Sequence, residues 1–288
     1  MSRQAALGER STLRRQAGTT LVELVVVLTL LAVLSSVGAT VVTRIVAGQQ
    51  DQQARLALAL TTDAAALRVA DELQQALPNS LRLTANADGT WIEWVPVLDA
   101  GRYRQAPDTV SAAPGDSLDV DDPADTGFDV IGTPLATLAA GSELVLHNLG
   151  TPEADVYAGL NRRSGLVRSS DGLHLDFSAS GALPAAGPQA RFFIVGTPRT
   201  LACLPRADGR WDLVRFQGYG WSAGQPDAEA ALSAGTRSVL LAGLGSCSAA
   251  YGSALANIGL LTLRLRGSDA DARARLDLLL QLPVDNTP

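Results

Sequence analysis

The sequence predicts an α+β fold: a long N-terminal helix, first membrane-spanning and then amphipathic, packed on an antiparallel β-sheet head. Three observations carry this. Residues 24–43 contain no charged side chain. No proline interrupts the chain from residue 19 to residue 77, so one helix of about 90 Å can form, and its uncharged part covers about 30 Å, one bilayer core. Beyond Pro78 the apolar residues recur with the period of a strand rather than a helix.

The helix is justified first. Gly38 and Gly48 are the expected bend points. Past the uncharged run, Leu56, Leu60, Leu67, Ala70 and Leu77 fall within one stripe of about 100° on a 3.6-residue wheel, with Asp63 intruding. That stripe is expected to face the head, and it is too short for the several heptads of a coiled-coil stalk. Leu77 before Pro78, followed by Asn79-Ser80, reads as the stop.

The strands follow. Leu81 to Leu83, the turn Asn86-Ala87-Asp88-Gly89 and residues 91–95 form an expected hairpin. Further strands are expected at 142–147, 172–177, 191–195, 211–217, 238–241 and 260–266. The last hairpin is the clearest: Leu261, Leu263 and Leu265 alternate with Thr262, Arg264 and Arg266, and after a turn at 267–270 Leu276, Leu278, Leu280 and Leu282 line one face.

Composition narrows the chemistry. The 288 residues are 47% hydrophobic and 18% charged, enough apolar material for a real core. All 23 basic residues are arginine, so no lysine is present for a Schiff base, a phosphate-binding loop or an acylation motif. A net charge of −6 argues against nucleic acid as a partner. Two cysteines and two histidines do not make a four-ligand zinc cluster by familiar spacing.

The first eighteen residues carry Arg3, Arg10, Arg14 and Arg15 against one acid, Glu9. A basic segment before an apolar span keeps the N-terminus in the cytoplasm and sends the rest of the chain outward. A cleavable secretory peptide has a shorter apolar run, although Val37-Gly38-Ala39 resembles a cleavage site. A plain signal anchor gives no reason for Glu23 at the mouth of that run, because an ionisable group at membrane depth marks a pairing or functional position.

Arg14-Arg15-Gln16-Ala17-Gly18, then Thr19-Thr20-Leu21-Val22-Glu23 and a long aliphatic helix, resemble the class III signal of type IV prepilins and type II secretion pseudopilins. The resemblance implies that a prepilin peptidase cuts after Gly18, that Thr19 becomes the N-methylated first residue, and that Glu23 is the family's glutamate at the fifth mature position. The usual residue at the place of Thr19 is phenylalanine. In the family that glutamate meets the N-terminal ammonium of a neighbouring subunit, so that neither charge lies unpaired in an apolar bundle. The implied organisation is a removed leader at 1–18, a long helix at 19–77 with its membrane-spanning part near 21–43, and a β-rich extracytoplasmic pilin head at 78–288. Cutting removes four arginines and one glutamate, so the formal charge falls from −6 to about −9.

Within that superfamily the chain is most similar to MshO-type minor prepilins of the mannose-sensitive haemagglutinin (MSHA) pilus. The similarity lies in residues 63–82, in Ser117-Leu118-Asp119 with residues 125–130, in Cys203 with Gly218-Tyr219, in 238–247, in 259–263 and in Val284-Asp285-Asn286. It implies a structural rather than catalytic protein, held as a single-pass protein of the inner membrane with a periplasmic head. The chain then joins a cell-surface fibre with other major and minor pilins through an inner-membrane assembly platform, to prime assembly or form a tip for attachment. The alternatives are a pseudopilin of type II secretion and a signal-anchored periplasmic binding protein.

Outside the cytoplasm Cys203 and Cys247 are expected to form a disulfide, as pilins commonly staple the head; the alternative is two reduced, buried thiols. Asp116, Asp119, Asp121, Asp122, Asp125 and Asp129 crowd one segment. Calcium on Asp119, Asp121, Asp125 and Asp129 is the lesser reading, since EF-hand spacing is absent, and a solvated acidic loop is the better one, so no cofactor is expected. His147 and His174 read as strand or loop residues, and Ser164 and Ser246 lack a nucleophile elbow. Trp91 and Trp94 are expected in the core, although Trp91, Trp94, Trp211 and Trp221 suggest a sugar-binding face by analogy.

Overall fold

Thr20 starts the helix α1 (Leu21–Gln74). Its Oγ1 accepts the Glu23 N–H at 3.2 Å and its carbonyl accepts the Leu24 N–H at 3.1 Å, the geometry of an N-cap with glutamate three residues on. The computed structural model describes residues 20–109, 115–179, 181–255, 258–268 and 275–287. The leader, Gly18, Thr19, Pro114 and the later part of the 267–270 turn lie outside them. Two compact units divide at Gln53 and Ala54.

In the first unit α1 passes through Gly38 and Gly48 without a break in its helical assignment. Thr29, Ser36, Thr40 and Thr43 each donate a hydroxyl to a carbonyl three residues back, at 2.7–3.0 Å, so these polar groups are satisfied within the helix itself. In the second unit α1 ends at Gln74, three residues short of the expected stop. Sheet-type bonding takes over there: Ala76 bridges Pro96, the Leu77 N–H donates to Val95 O at 2.8 Å, and the Val97 N–H donates to Gln75 O at 2.8 Å.

The strands among the described residues are β1 (Arg82–Asn86), β2 (Gly89–Trp94), β3 (Val97–Tyr103), β4 (Gly127–Ile131), β5 (Glu143–Val145), β6 (Arg162–Arg163), β7 (Val167–Arg168) and β8 (His174–Asp176). They continue with β9 (Arg191–Val195), β10 (Arg199–Pro205), β11 (Trp211–Gln217), β12 (Thr236–Leu244), β13 (Ser246–Leu255), β14 (Ile258–Ser268) and β15 (Arg275–Asp285). Every pairing is antiparallel. Instead of one sheet there are three, with orders β1-β2-β10-β11-β12, β13-β14-β15 and β6-β5-β9-β3-β4-β8-β7.

The β1–β2 hairpin closes as expected: Asn86 Oδ1 accepts the amides of Asp88 and Gly89, and Gly89 takes a positive φ of 150°. The last hairpin pairs Leu261 with Leu282, Leu263 with Leu280 and Leu265 with Leu278. Gly101 of β3 lies opposite Phe192 of β9, and a Cβ there would stand 2.7 Å from the ring, so the ring packs across the glycine.

The principal core joins Ala65, Val69 and Leu73 of α1 to Ile92, Trp94, Leu201, Leu213, Leu261 and Leu263 of the five- and three-stranded sheets. The Cys203–Cys247 disulfide ties β10 to β13 inside it. A second core of Tyr103, Phe128, Leu144, Leu175 and Phe192 fills the seven-stranded sheet. Leu77, Val95, Val145, Val156, Tyr157 and Val195 form a third cluster, reached by the chain as it leaves the helix.

Of the expected stripe, Ala70 packs against the principal core and Leu77 is buried in the third cluster, but the three earlier leucines do not face the head. Thr62, Ala65, Ala66, Val69 and Leu73 are the buried residues of α1. Leu56, Leu60 and Leu67 stand 60%, 61% and 72% exposed. On the wheel the buried set centres about 140° from the leucine stripe.

Candidate functional site

Glu23 stands exposed in the first turn of α1, at the edge of the uncharged run. Every residue of 21–50 is exposed, including eleven leucines and valines between Leu21 and Leu34. Burying one such side chain is worth about 1.5–3 kcal/mol, so the segment requires lipid or other helices around it. By length and composition α1 is suited to crossing a membrane.

The head-proximal part of α1 adds a second uncovered apolar surface, the Leu56, Leu60 and Leu67 stripe. The side of the helix turned to the sheets is also fixed by charge. Glu72 receives Arg215 of β11, Arg68 one turn earlier at 3.2 Å and Arg199 of β10 at 3.7 Å. One carboxylate shared by three guanidiniums fixes the rotation of α1 on the five-stranded sheet.

On the sheet's other face Glu93 of β2 is fully buried. Arg82 Nε lies 2.6 Å from its Oε2, and the Tyr219 hydroxyl donates to its Oε1 at 2.8 Å. Burial pushes the Glu93 carboxyl up, against the lowering effect of Arg82 and Tyr219. Arg82 also donates to the carbonyls of Ser222 and Ala223 and stacks 3.6 Å over the Tyr157 ring. Arg162 repeats the pattern over Trp221 at 3.6 Å, and both Arg162 and the Trp221 indole contact Glu143 at 3.0 Å. These contacts close the segment after β11 over the edge strand β1 and across to β5.

The four aspartates weighed for calcium are not gathered as ligands. Asp125 accepts the amides of Asp119 and Gly127, Asp119 accepts the amide of Asp121, and Asp129 is taken by Arg104, His174 and the Asp116 amide. Among the described residues no group of three or more His, Cys, Asp and Glu is arranged to hold a metal ion. The carboxylates instead fold their own loop through local amide bonds.

His174 opens strand β8, one of the two places the sequence reading allowed it, and it meets acid partners there. Asp129 sits directly opposite it in the β4–β8 register, and Asp176 lies two residues along the same strand face. The second relation was visible as an i, i+2 spacing in a strand; the first required the pairing. Burial depresses the His174 imidazole, but Asp129, Asp176 and Asp116 outweigh it and hold the group above its ordinary 6.5. Burial likewise pushes Asp129 up, yet hydrogen bonds from His174, the Asp116 amide and Arg104 bring it below the ordinary 3.8. Asp116 is pushed up by burial and by the neighbouring carboxylates.

His147 lies in a loop with a left-handed φ of 50°, apart from these groups in sequence and strand pairing. Trp91 and Trp94 are core residues, while Trp211 and Trp221 are half-buried. Among the described residues neither Ser164 nor Ser246 has a hydroxyl bonded to a histidine or a carboxylate. The four tryptophans do not share a single exposed face, because Trp91 and Trp94 lie on opposite sides of the sheet in different core clusters.

The chain matches the family model described as the prokaryotic N-terminal methylation motif over residues 13–39. That match takes in Gly18, Thr19, Glu23 and the first part of α1. No curated protein and no solved structure matches the chain. The motif is the signal of type IV pilin and pseudopilin precursors, and here it opens a helix suited to membrane anchoring and joined to an antiparallel β head.

Proposed function

We propose that this chain is a minor prepilin of an MSHA-like type IV pilus. Its leader, 1–18, is removed after Gly18 and Thr19 is methylated. The helix at 19–77 anchors the protein in the inner membrane with the head at 78–288 in the periplasm. The helix then enters a fibre with other pilins, where the chain primes assembly or forms the tip. The observation that carries this reading is the coincidence of the methylation motif with the start of α1 and its uncovered apolar surface. Glu23, at the cytoplasmic edge of the span, neutralises the ammonium of a neighbouring Thr19 as both leave the bilayer.

The test is the N-terminal mass of the protein in sheared surface fibres and in membranes. The expected result is a methylated chain beginning at Thr19 in the fibres. A chain confined to membranes with its leader uncut, or beginning at Thr40, overturns the reading. Glu23→Ala is expected to be processed and folded yet absent from fibres. Recovery solely with the short fibre of an exoprotein secretion system would move the chain to the pseudopilins.

A further inference from the structure

We propose that His174 is a proton-operated clasp: as the imidazolium it holds the acidic segment 115–126 against the β4–β8 ladder, and it releases that segment on losing its proton.

The geometry calls for two donors. His174 Nδ1 lies 3.0 Å from Asp129 Oδ1, Nε2 lies 3.2 Å from Asp176 Oδ1, and Asp116 Oδ2 stands 3.9 Å from Nε2. A neutral imidazole donates from one nitrogen, so its bare nitrogen would face a carboxylate lone pair. The convergence is built over Gly127. A Cβ there would sit 3.1 Å from Asp176 Oδ1, 3.2 Å from His174 Nε2 and 3.4 Å from Asp116 Oδ2, so the absence of a side chain leaves room for all three groups.

The charges around the ring come from every element packed against it. Asp116 and Asp125 belong to the acidic segment, Asp129 to β4, Asp176 to β8, and Arg104, just past β3, lies 3.3 Å from Asp129 Oδ2. On the far side Ser169 accepts the His174 amide and donates to Asp171, while Arg168 of β7 is spent on the carbonyls of Leu135, Ser169 and Ser170. Carboxylates therefore outnumber guanidiniums at the ring, and the imidazolium is the further cation that offsets part of their charge. The segment it secures is also pinned by the Asp116 amide on Asp129 Oδ2, the Asp129 amide on Asp116 O and the Leu118 amide on Arg104 O.

The sign follows from the directions of the shifts. The histidine, held above 6.5, contributes fully below that value, and its contribution disappears as pH rises through its folded-state pKa. Asp129, held below 3.8, contributes above that value and is lost as pH falls through its own. Asp116, pushed up by burial and the neighbouring carboxylates, costs stability where it is ionised, a cost that the imidazolium reduces. The clasp is closed between the aspartate range and the raised histidine pKa.

The chain has two histidines, so the imidazole resonances of the full-length protein in detergent micelles are assigned by comparison with His147→Gln. The expected midpoint of His174 lies above 6.5, and Asp176→Asn lowers it. Across that midpoint the hydrogen-exchange protection of the Asp116, Leu118 and Asp129 amides is expected to fall roughly threefold to tenfold relative to Val214, the range of a partly exposed charged hydrogen bond. His174→Gln is expected to hold the three amides at their open value at every pH. A midpoint at or below 6.5, or protection that stays flat through it, overturns the proposal; should His174→Gln fail to fold, the titration of Asp176→Asn decides.

Discussion

The two sides of α1 beyond Gln53 are both apolar, yet one is covered by the sheets and the other is not. The side against the sheets is built from Thr62, Ala65, Ala66, Val69 and Leu73, while the side away from them carries Leu56, Leu60 and Leu67. Three of the five inward residues are small, Thr62, Ala65 and Ala66, with Val69 and Leu73 beside them, whereas the outward three are all leucine. Leucines left in solvent mark a surface meant for another molecule. Under the proposed function that surface packs between neighbouring helices of the fibre.

Breaking the inner side is expected to have the largest effect. Val69→Asp places an unpaired carboxylate among Leu73, Ile92, Leu201 and Leu263 and is expected to destabilise the head by more than about 4 kcal/mol, enough to abolish the cooperative melting transition in circular dichroism. Removing the disulfide comes next. Cys203 and Cys247 are 44 residues apart, and replacing both by alanine is expected to cost about 3–4 kcal/mol by the chain-entropy model, read as a lower denaturant midpoint. A wild-type head equally stable with and without reductant would remove the disulfide from the account of the core.

Arg82→Ala sharpens the comparison from the far face of the sheet. It strands Glu93, which is fully buried, and is expected to cost about 3 kcal/mol at neutral pH. Glu93 is already pushed up by burial, and loss of its cation moves it in the same direction. The deficit of the variant is therefore expected to shrink as the pH falls and the carboxyl takes up a proton, which parallel urea titrations at neutral and acidic pH would detect.

Much of this fold was legible in residues. β9 and β11 fall where 191–195 and 211–217 place them, the first hairpin closes at Asn86–Gly89, the leucines of β14 and β15 pair as expected although Gly267 and Ser268, read as turn residues, are the last two of β14, and the uncharged run lies within α1. β10 escaped notice because it is central and buried on both faces, which erases the alternation that marks a half-buried strand. β13, SCSAAYGSAL, is poor in strong strand formers and is held by its pairing with β14. At the His174 cluster, Asp176 was readable and Asp129 was not, because 45 residues separate partners that only the β4–β8 register brings together. The leucine stripe misled for a related reason: a wheel ranks faces by hydrophobicity, and it carries no information on long-range partners such as Arg199 and Arg215, which meet Glu72 on the sheet side.

The smallest expected effect on stability is the most informative about that stripe. Leu60→Gln and Leu67→Gln alter side chains already 61% and 72% exposed, so each is expected to change unfolding free energy by no more than about 0.5 kcal/mol. Neither touches Gly18, Thr19 or Glu23, so processing is expected to proceed normally. If the stripe packs against other helices in a fibre, the paired substitution lowers the amount recovered in sheared fibres while the membrane pool stays folded and cut. If instead the stripe serves the head, the same pair lowers the melting temperature and fibre content falls only in proportion. Measured together, melting and fibre recovery separate a leucine that holds its own domain from one that awaits a neighbour, because only the former contributes before assembly begins.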